Sequence, residues 1–236
     1  MNQTLSPIST DSLKQVFIKK FEALIFSGHF SIGEKLPSER ELAKQLCVSR
    51  PVVHEGLVNL AAKGLVTMKP RVGAFINDYR REGSLFLLTS LFKYDDGQVS
   101  DRLLGSMLDM RRLLEVESAQ LAAANRRKAH MARFNAILEK ESRTDHADIR
   151  ELAEVDFSFH HLIAIASGNM IYPLTMNSLK QLYTNISGQF FADPAVVPVV
   201  FEFHEKMVAA FKIKDKKGAQ RIMRQLLMHG EKHVKR

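Results

Sequence analysis

With 236 residues, 45% hydrophobic and 25% charged, the chain has the balance of a globular protein with room for one large or two modest domains. No apolar run approaches membrane-spanning length and the N-terminus lacks the apolar centre of an export signal, so a cytoplasmic home is expected and a membrane partner is excluded. A single cysteine, Cys47, rules out an internal disulfide, and the formal charge of +8, carried toward the two ends around an acidic middle, suits an anionic partner at the N-terminal end. The basic final segment reads as a solvated helix face.

The first periodic segment, Thr10 to Ser27, predicts an amphipathic helix with Leu13, Phe17, Phe21, Leu24 and Ile25 on one side, stopped by Gly28. Residues Leu36 to Leu60 then read as two short helices and a tight turn. Ser38 and Glu41 have the S-x-x-E spacing of a capping box, in which each side chain satisfies a free N–H at the helix start. Cys47-Val48 forms the turn, with Cys47 read as a small packed residue. Ser49 is placed to cap the second helix and Pro51 to sit in its first turn, while Val52, Val53, Leu57 and Leu60 make its buried face. That leaves Ser49, Arg50, Pro51 and His54 at its exposed beginning, where a helix-turn-helix reaches DNA bases. Gly64 ends the helix. Leu65–Met68 and Ala74–Ile76 follow as two β-like runs around Lys69-Pro70-Arg71-Val72-Gly73, the pattern of a wing.

At this point the chain resembles the GntR-type bacterial transcription regulators. The resemblance rests on Gly33-Glu34-Lys35-Leu36-Pro37-Ser38-Glu39-Arg40-Glu41-Leu42-Ala43, on Val48-Ser49-Arg50, and on Gly64-Leu65-Val66 with Gly73-Ala74-Phe75-Ile76. It implies double-stranded DNA as partner, with Arg40, Ser49, Arg50, Pro51 and His54 facing it and Lys69, Arg71 and Gly73 on the wing. Two departures bear on the operator: His54 stands where the family usually has an arginine, and Pro70-Arg71-Val72 replaces an Arg-Gly-rich wing tip.

The winged domain is expected over residues 1–78, a linking helix that packs rather than dangles over 79–100, and a second domain over 101–236. From Asp101 onward the pattern is helical throughout, in segments near 101–125, 129–143, 148–167, 171–191, 195–213 and 216–234. The fold class is therefore mainly α: a winged helix-turn-helix with a small β wing, then an all-α bundle of six to seven helices. This second part resembles the effector domain of the FadR subfamily, above all in Ala166-Ser167-Gly168-Asn169, Ile171-Tyr172, Lys180, Leu182-Tyr183-Thr184 and Phe191-Ala192-Asp193-Pro194. Most members of that subfamily hold a divalent metal with one Asp and three His beneath a small-acid ligand. The fatty-acid-responsive member has lost that set.

Asp156 and His160 are four residues apart and share one helix face, a spacing competent for Zn²⁺, Ni²⁺ or Mn²⁺. The resemblance adds His204. Its last histidine should fall at Leu226; His229 lies one helical turn further on the same face, roughly 4.5 Å along the axis, and could ligate after a shift of about a turn. His161 points elsewhere. Arg111 matches an arginine that the subfamily directs at its ligand, its local alternative being a surface ion pair with Glu115; Tyr172 is taken as a second effector contact. The reading adopted is a homodimeric DNA-binding regulator, a repressor in sense, controlled by a small carboxylate in the helical domain. The alternative is a fatty acyl-CoA effector, its chain lying along helices 171–191 and 195–213. A metal-dependent enzyme and an RNA-binding module are the remaining classes; the first lacks an evident base or nucleophile motif, the second any aromatic stacking platform.

Overall fold

The computed structural model describes residues 12–94 and 101–234, and the chain divides into two compact units, Met1–Gln98 and Val99–Arg236. Thr10 and Asp11, expected in the first helix, and the polar stretch Asp95-Asp96-Gly97 lie outside the described residues.

In the first unit, helix α1 (Leu13–Phe26) starts at Ser12, whose hydroxyl accepts from the N–H of Gln15. It buries Phe17, Ile18, Phe21 and Ile25; Leu13, assigned to that face from the periodicity, is instead 59% exposed, because the apolar stripe turns toward Ile18. α1 packs on α3 (Arg50–Ala62), and Gly56 makes the approach close: a Cβ there would fall 2.2 Å from the Phe17 ring. In the chain between them comes α2 (Glu39–Gln45), which packs on α3 and is opened by the full Ser38–Glu41 capping box. The turn into α3 places Cys47 at φ 53°, left-handed and exposed rather than packed, since that conformation swings its side chain outward. Ser49 occupies the cap position of α3 but makes no capping hydrogen bond, which leaves its hydroxyl free for another acceptor or donor.

Strands β1 (Val66–Lys69) and β2 (Gly73–Ile76) pair antiparallel, Val66 opposite Ile76 and Lys69 opposite Gly73. The segment before α2 adds to the other edge of β2 through Leu36 N–H to Ala74 O and Ile76 N–H to Glu34 O, both 2.9 Å. Gly64, at φ 77°, joins α3 to the wing, and a Cβ there would lie 2.0 Å from the carbonyl oxygen of Glu82. The short α4 (Tyr79–Glu82) and α5 (Phe86–Tyr94) follow; α5 packs on α1, and its Leu87 joins the same core as Phe17 and Leu57.

The second unit is a bundle of seven helices: α6 (Asp101–Asn125), α7 (Lys128–Glu141), α8 (Ile149–Ala166), α9 (Ile171–Ser178), α10 (Lys180–Phe191), α11 (Val196–Lys212) and α12 (Lys216–Val234). The expected single helix over 171–191 is two, broken at Leu179. There the hydroxyls of Thr175 and Ser178 bond back to the carbonyls of Ile171 and Leu174, which loosens a helix, and Leu179 turns into the core at 2% exposure. α8 is the central element, packed by α6, α7, α9 and α10. A side chain on α8 is thus covered from several directions at once, and that is where the polar cluster sits.

Candidate DNA-contact and effector sites

The expected DNA-facing residues assemble on one surface of the first unit. Arg40 on α2, Arg50 and His54 on α3, and Lys69, Arg71 and Gly73 on the wing line a single open groove. All but Gly73 are exposed, as are Ser49 and Pro51 at the start of α3. Arg71 reaches the wing tip through a left-handed backbone, φ 62°, which a type of residue other than glycine adopts at some cost. Lys69 lies over the ring of Phe75, 4.9 Å from its centre. His54 is not free-standing: its Nδ1 is 2.7 Å from a carboxylate oxygen of Glu39.

In the second unit, Asp156 and His160 project from one face of α8 and His204 from α11, all buried, with ligand-capable atoms within 4.8 Å of one another. Nε2 of each histidine stands 3.7 Å from Oδ1 of Asp156, too far for a hydrogen bond and suited to an interposed atom. Nδ1 of each is held by a second carboxylate: His204 by Glu141 of α7 at 2.6 Å, His160 by Glu115 of α6. A carboxylate only accepts, so both Nδ1 atoms carry the protons and both Nε2 lone pairs face Asp156 when the rings are neutral. Nε2 of His204 is buried with no hydrogen-bond partner. Phe159 stacks on the His204 ring at 3.8 Å between centres and fixes its plane. A carboxylate–histidine pair behind each imidazole is the arrangement that orients a metal ligand and raises its basicity. The donor set fits a divalent cation, and the orphaned nitrogen is the observation that carries the fit.

His229 is not in this cluster. Its ring lies against Phe190, Phe203 and His233, because the face of α12 turned to the cavity is the one carrying Leu226, Leu227 and Gly230. Arg111 is also placed differently from a surface ion pair. It is partly buried, with Nε 2.7 Å from Glu115 and Nη2 donating to the Tyr183 hydroxyl at 2.7 Å. Burial opposes the charge of Glu115, yet Arg111 and then His160 more than offset it, and its pKa falls from 4.5 to about 2. Burial above all, with Asp156 and Glu115 acting against Arg111, pushes the Tyr183 phenol well up, so it stays a neutral donor. Tyr172 packs against the satellite core of Phe157, Ala164, Met176 and Tyr183.

Arg111, Asp156 and His160 open onto a cavity of about 30 Å³, room for a water molecule or two, otherwise walled by Leu108, Ile186, Phe190, Val200, Leu226 and Leu227. Ser187 donates to Asp156 at 3.1 Å across its polar end. Glu231 also lines it, with one carboxylate oxygen on Arg112 and the other unpaired. Sequence reasoning named neither Glu141, Tyr183, Ser187 nor Glu231 as part of this site. Only the match of Tyr183 within Leu182-Tyr183-Thr184 offered a signal.

Two family models match the chain, one for bacterial regulatory proteins of the gntR family over residues 14–76 and one for the FCD domain over residues 106–229. Among curated proteins, a fatty acid metabolism regulator protein of Escherichia coli is 31% identical over 186 residues, covering 78% of this chain and 75% of its own length. Among solved structures, a GntR protein of Streptococcus agalactiae has a TM-score of 0.50 at 24% identity, over 91% of this chain and 97% of its own. Lar, said to control the agr system of Listeria monocytogenes, reaches a TM-score of 0.65 at 13% identity, over 96% and 98%. These last two speak to the fold. Among the described residues no helix is long and apolar enough to cross a membrane.

Proposed function

This chain belongs to the gntR family of bacterial regulatory proteins, in the branch that carries an FCD domain, and from that premise we propose that it is a transcription regulator whose DNA binding is controlled by a fatty acyl-CoA. The observation that carries the effector class is the 31% identity to regulators named for fatty acid metabolism, which spans both units of the chain. It moves the acyl-CoA reading ahead of the small carboxylate that the metal-ligand spacing alone favoured. Enzymatic chemistry has no place in this family. The regulator acts as a homodimer on a two-fold operator, because one recognition helix touches too few base pairs to find a site in a genome. It acts as a repressor in the cytoplasm.

The apolar wall of Leu108, Ile186, Phe190, Val200, Leu226 and Leu227 supports an acyl chain as the occupant. At about 30 Å³ the cavity is closed to such a chain, so the ligand enters by spreading α10, α11 and α12. A ligand shifts an equilibrium only by its differential affinity for the two arrangements, and here the spread arrangement alone admits it.

A second reading has its own support. Asp156, His160 and His204 would hold a divalent ion, with Glu115 and Glu141 orienting the two rings. When bound, that ion would supply an electrophilic anchor for a carboxylate oxygen, with the Arg111 guanidinium beside it. The two are separated by titrating an operator shift with palmitoyl-CoA, and separately with succinate plus Zn²⁺. Release of DNA by micromolar palmitoyl-CoA is expected. Release only by the acid, and only with the metal, would overturn the acyl-CoA reading in favour of the second.

A further inference from the structure

The groove lined by the expected DNA-facing residues contains a carboxylate–imidazole pair, Glu39 and His54. Glu39 is the first residue of α2, and His54 is one turn into α3, on the same face as Arg50 four residues earlier. Nδ1 of His54 lies 2.7 Å from Oε1 of Glu39, while the two side chains are 56% and 28% exposed. Both belong to the groove shared by Arg40, Arg50, Lys69 and Arg71.

We propose that Glu39 is a specificity-determining positioning residue, which holds His54 so that its Nε2 accepts a hydrogen bond from an exocyclic amino group in the major groove. A carboxylate is an acceptor only, so the Nδ1 it contacts must carry a proton. In the neutral ring this makes Nε2 the acceptor, and the bond to Glu39 also fixes the direction in which that acceptor points. Adenine N6 and cytosine N4 present N–H groups in the major groove; guanine presents N7 and O6, which are acceptors. His54 held in this tautomer therefore selects adenine or cytosine and rejects guanine. An arginine at the same position, with donors only, selects the reverse.

The inference rests on the DNA-binding reading above, and its test separates the two. Full-length wild type, Glu39→Ala, Glu39→Gln and His54→Arg are each used to select duplexes from a randomised pool at pH 8, where an ordinary imidazole is neutral. The base pair read by residue 54 is the one whose preference changes in His54→Arg. At that pair the wild type should favour adenine or cytosine over guanine by roughly tenfold. Glu39→Ala should flatten the preference to within about threefold, Glu39→Gln, which still accepts from Nδ1, should keep it, and His54→Arg should turn it to guanine. Preferences at all other pairs should be unchanged, a result that mere loss of fold would not give. The proposal is overturned if Glu39→Ala keeps the wild-type preference, if the wild type selects guanine, or if His54→Arg changes no pair. A wild type that selects no sequence overturns the DNA-binding reading along with it.

Discussion

Nδ1 of His204 donates a hydrogen bond to Glu141 at 2.6 Å, across 63 residues of chain and between two different helices. The bond turns the far nitrogen of the ring toward Asp156 and leaves it without a partner. A buried polar atom in that state costs free energy unless something completes it.

A divalent cation held by Asp156, His160 and His204 would complete it. Metal bound only by the folded chain stabilises it by mass action, so Zn²⁺ or Ni²⁺ should raise the melting temperature and a chelator should lower it. Glu141→Gln should weaken the metal by about 10–100-fold without removing a ligand. His204→Ala should abolish the response and Leu226→His should strengthen it, since Leu226 already faces the cavity. His229→Ala should leave it unchanged. A melting curve indifferent to metal, with no stoichiometric metal by elemental analysis, would show the cluster idle.

The DNA surface makes a second prediction. Arg40→Ala and Arg50→Ala should abolish specific operator binding at physiological salt while leaving the circular dichroism unchanged. Lys69→Ala and Arg71→Ala should weaken all duplexes alike and reduce the salt dependence by about one counterion each. Shift assays at several salt concentrations test both; wild-type affinity in either arginine variant contradicts the assignment.

Glu41 gives a pH dependence with a definite sign. Its backbone hydrogen bond from Ser38, and then the Ser38 hydroxyl, lower its pKa from the ordinary carboxylate value. A group depressed in the folded state stabilises above its unfolded pKa and loses that contribution as the pH falls through its folded one. The melting temperature of Glu41→Ala should therefore lie below wild type at pH 7. The gap should close as the pH drops below 4.5. A gap that persists at pH 2 would mean the carboxylate acts through packing instead of the capping box.

Two glycines should respond oppositely to alanine. At Gly64 the backbone is left-handed and the new Cβ meets the Glu82 carbonyl, so Gly64→Ala should cost roughly 2–4 kcal/mol. Gly105 lies within α6 with open space around it, and Gly105→Ala should gain up to about 1 kcal/mol from helix propensity. Urea midpoints at unchanged slope report both. Equal effects at the two positions would contradict the geometry.

The capping box of Ser38 and Glu41, the turn after Leu46, the wing and the Asp156/His160 pair were legible in the chain because each is decided by residues a few positions apart. Local hydrogen bonds and helical periodicity need no knowledge of what lies opposite. The same local rules misplaced Cys47 as packed, and they could not see the break at Leu179, which depends on a core that pulls that side chain inward. Tertiary packing alone decided that Glu115 and Glu141 stand behind the two histidines, that Arg111 reaches the Tyr183 hydroxyl, and that α12 turns Leu226 rather than His229 to the cavity. The reason is physical. The charge and hydrogen-bond balance of a buried group is set by whichever helices close over it, and those partners come from 45, 63 and 72 residues away.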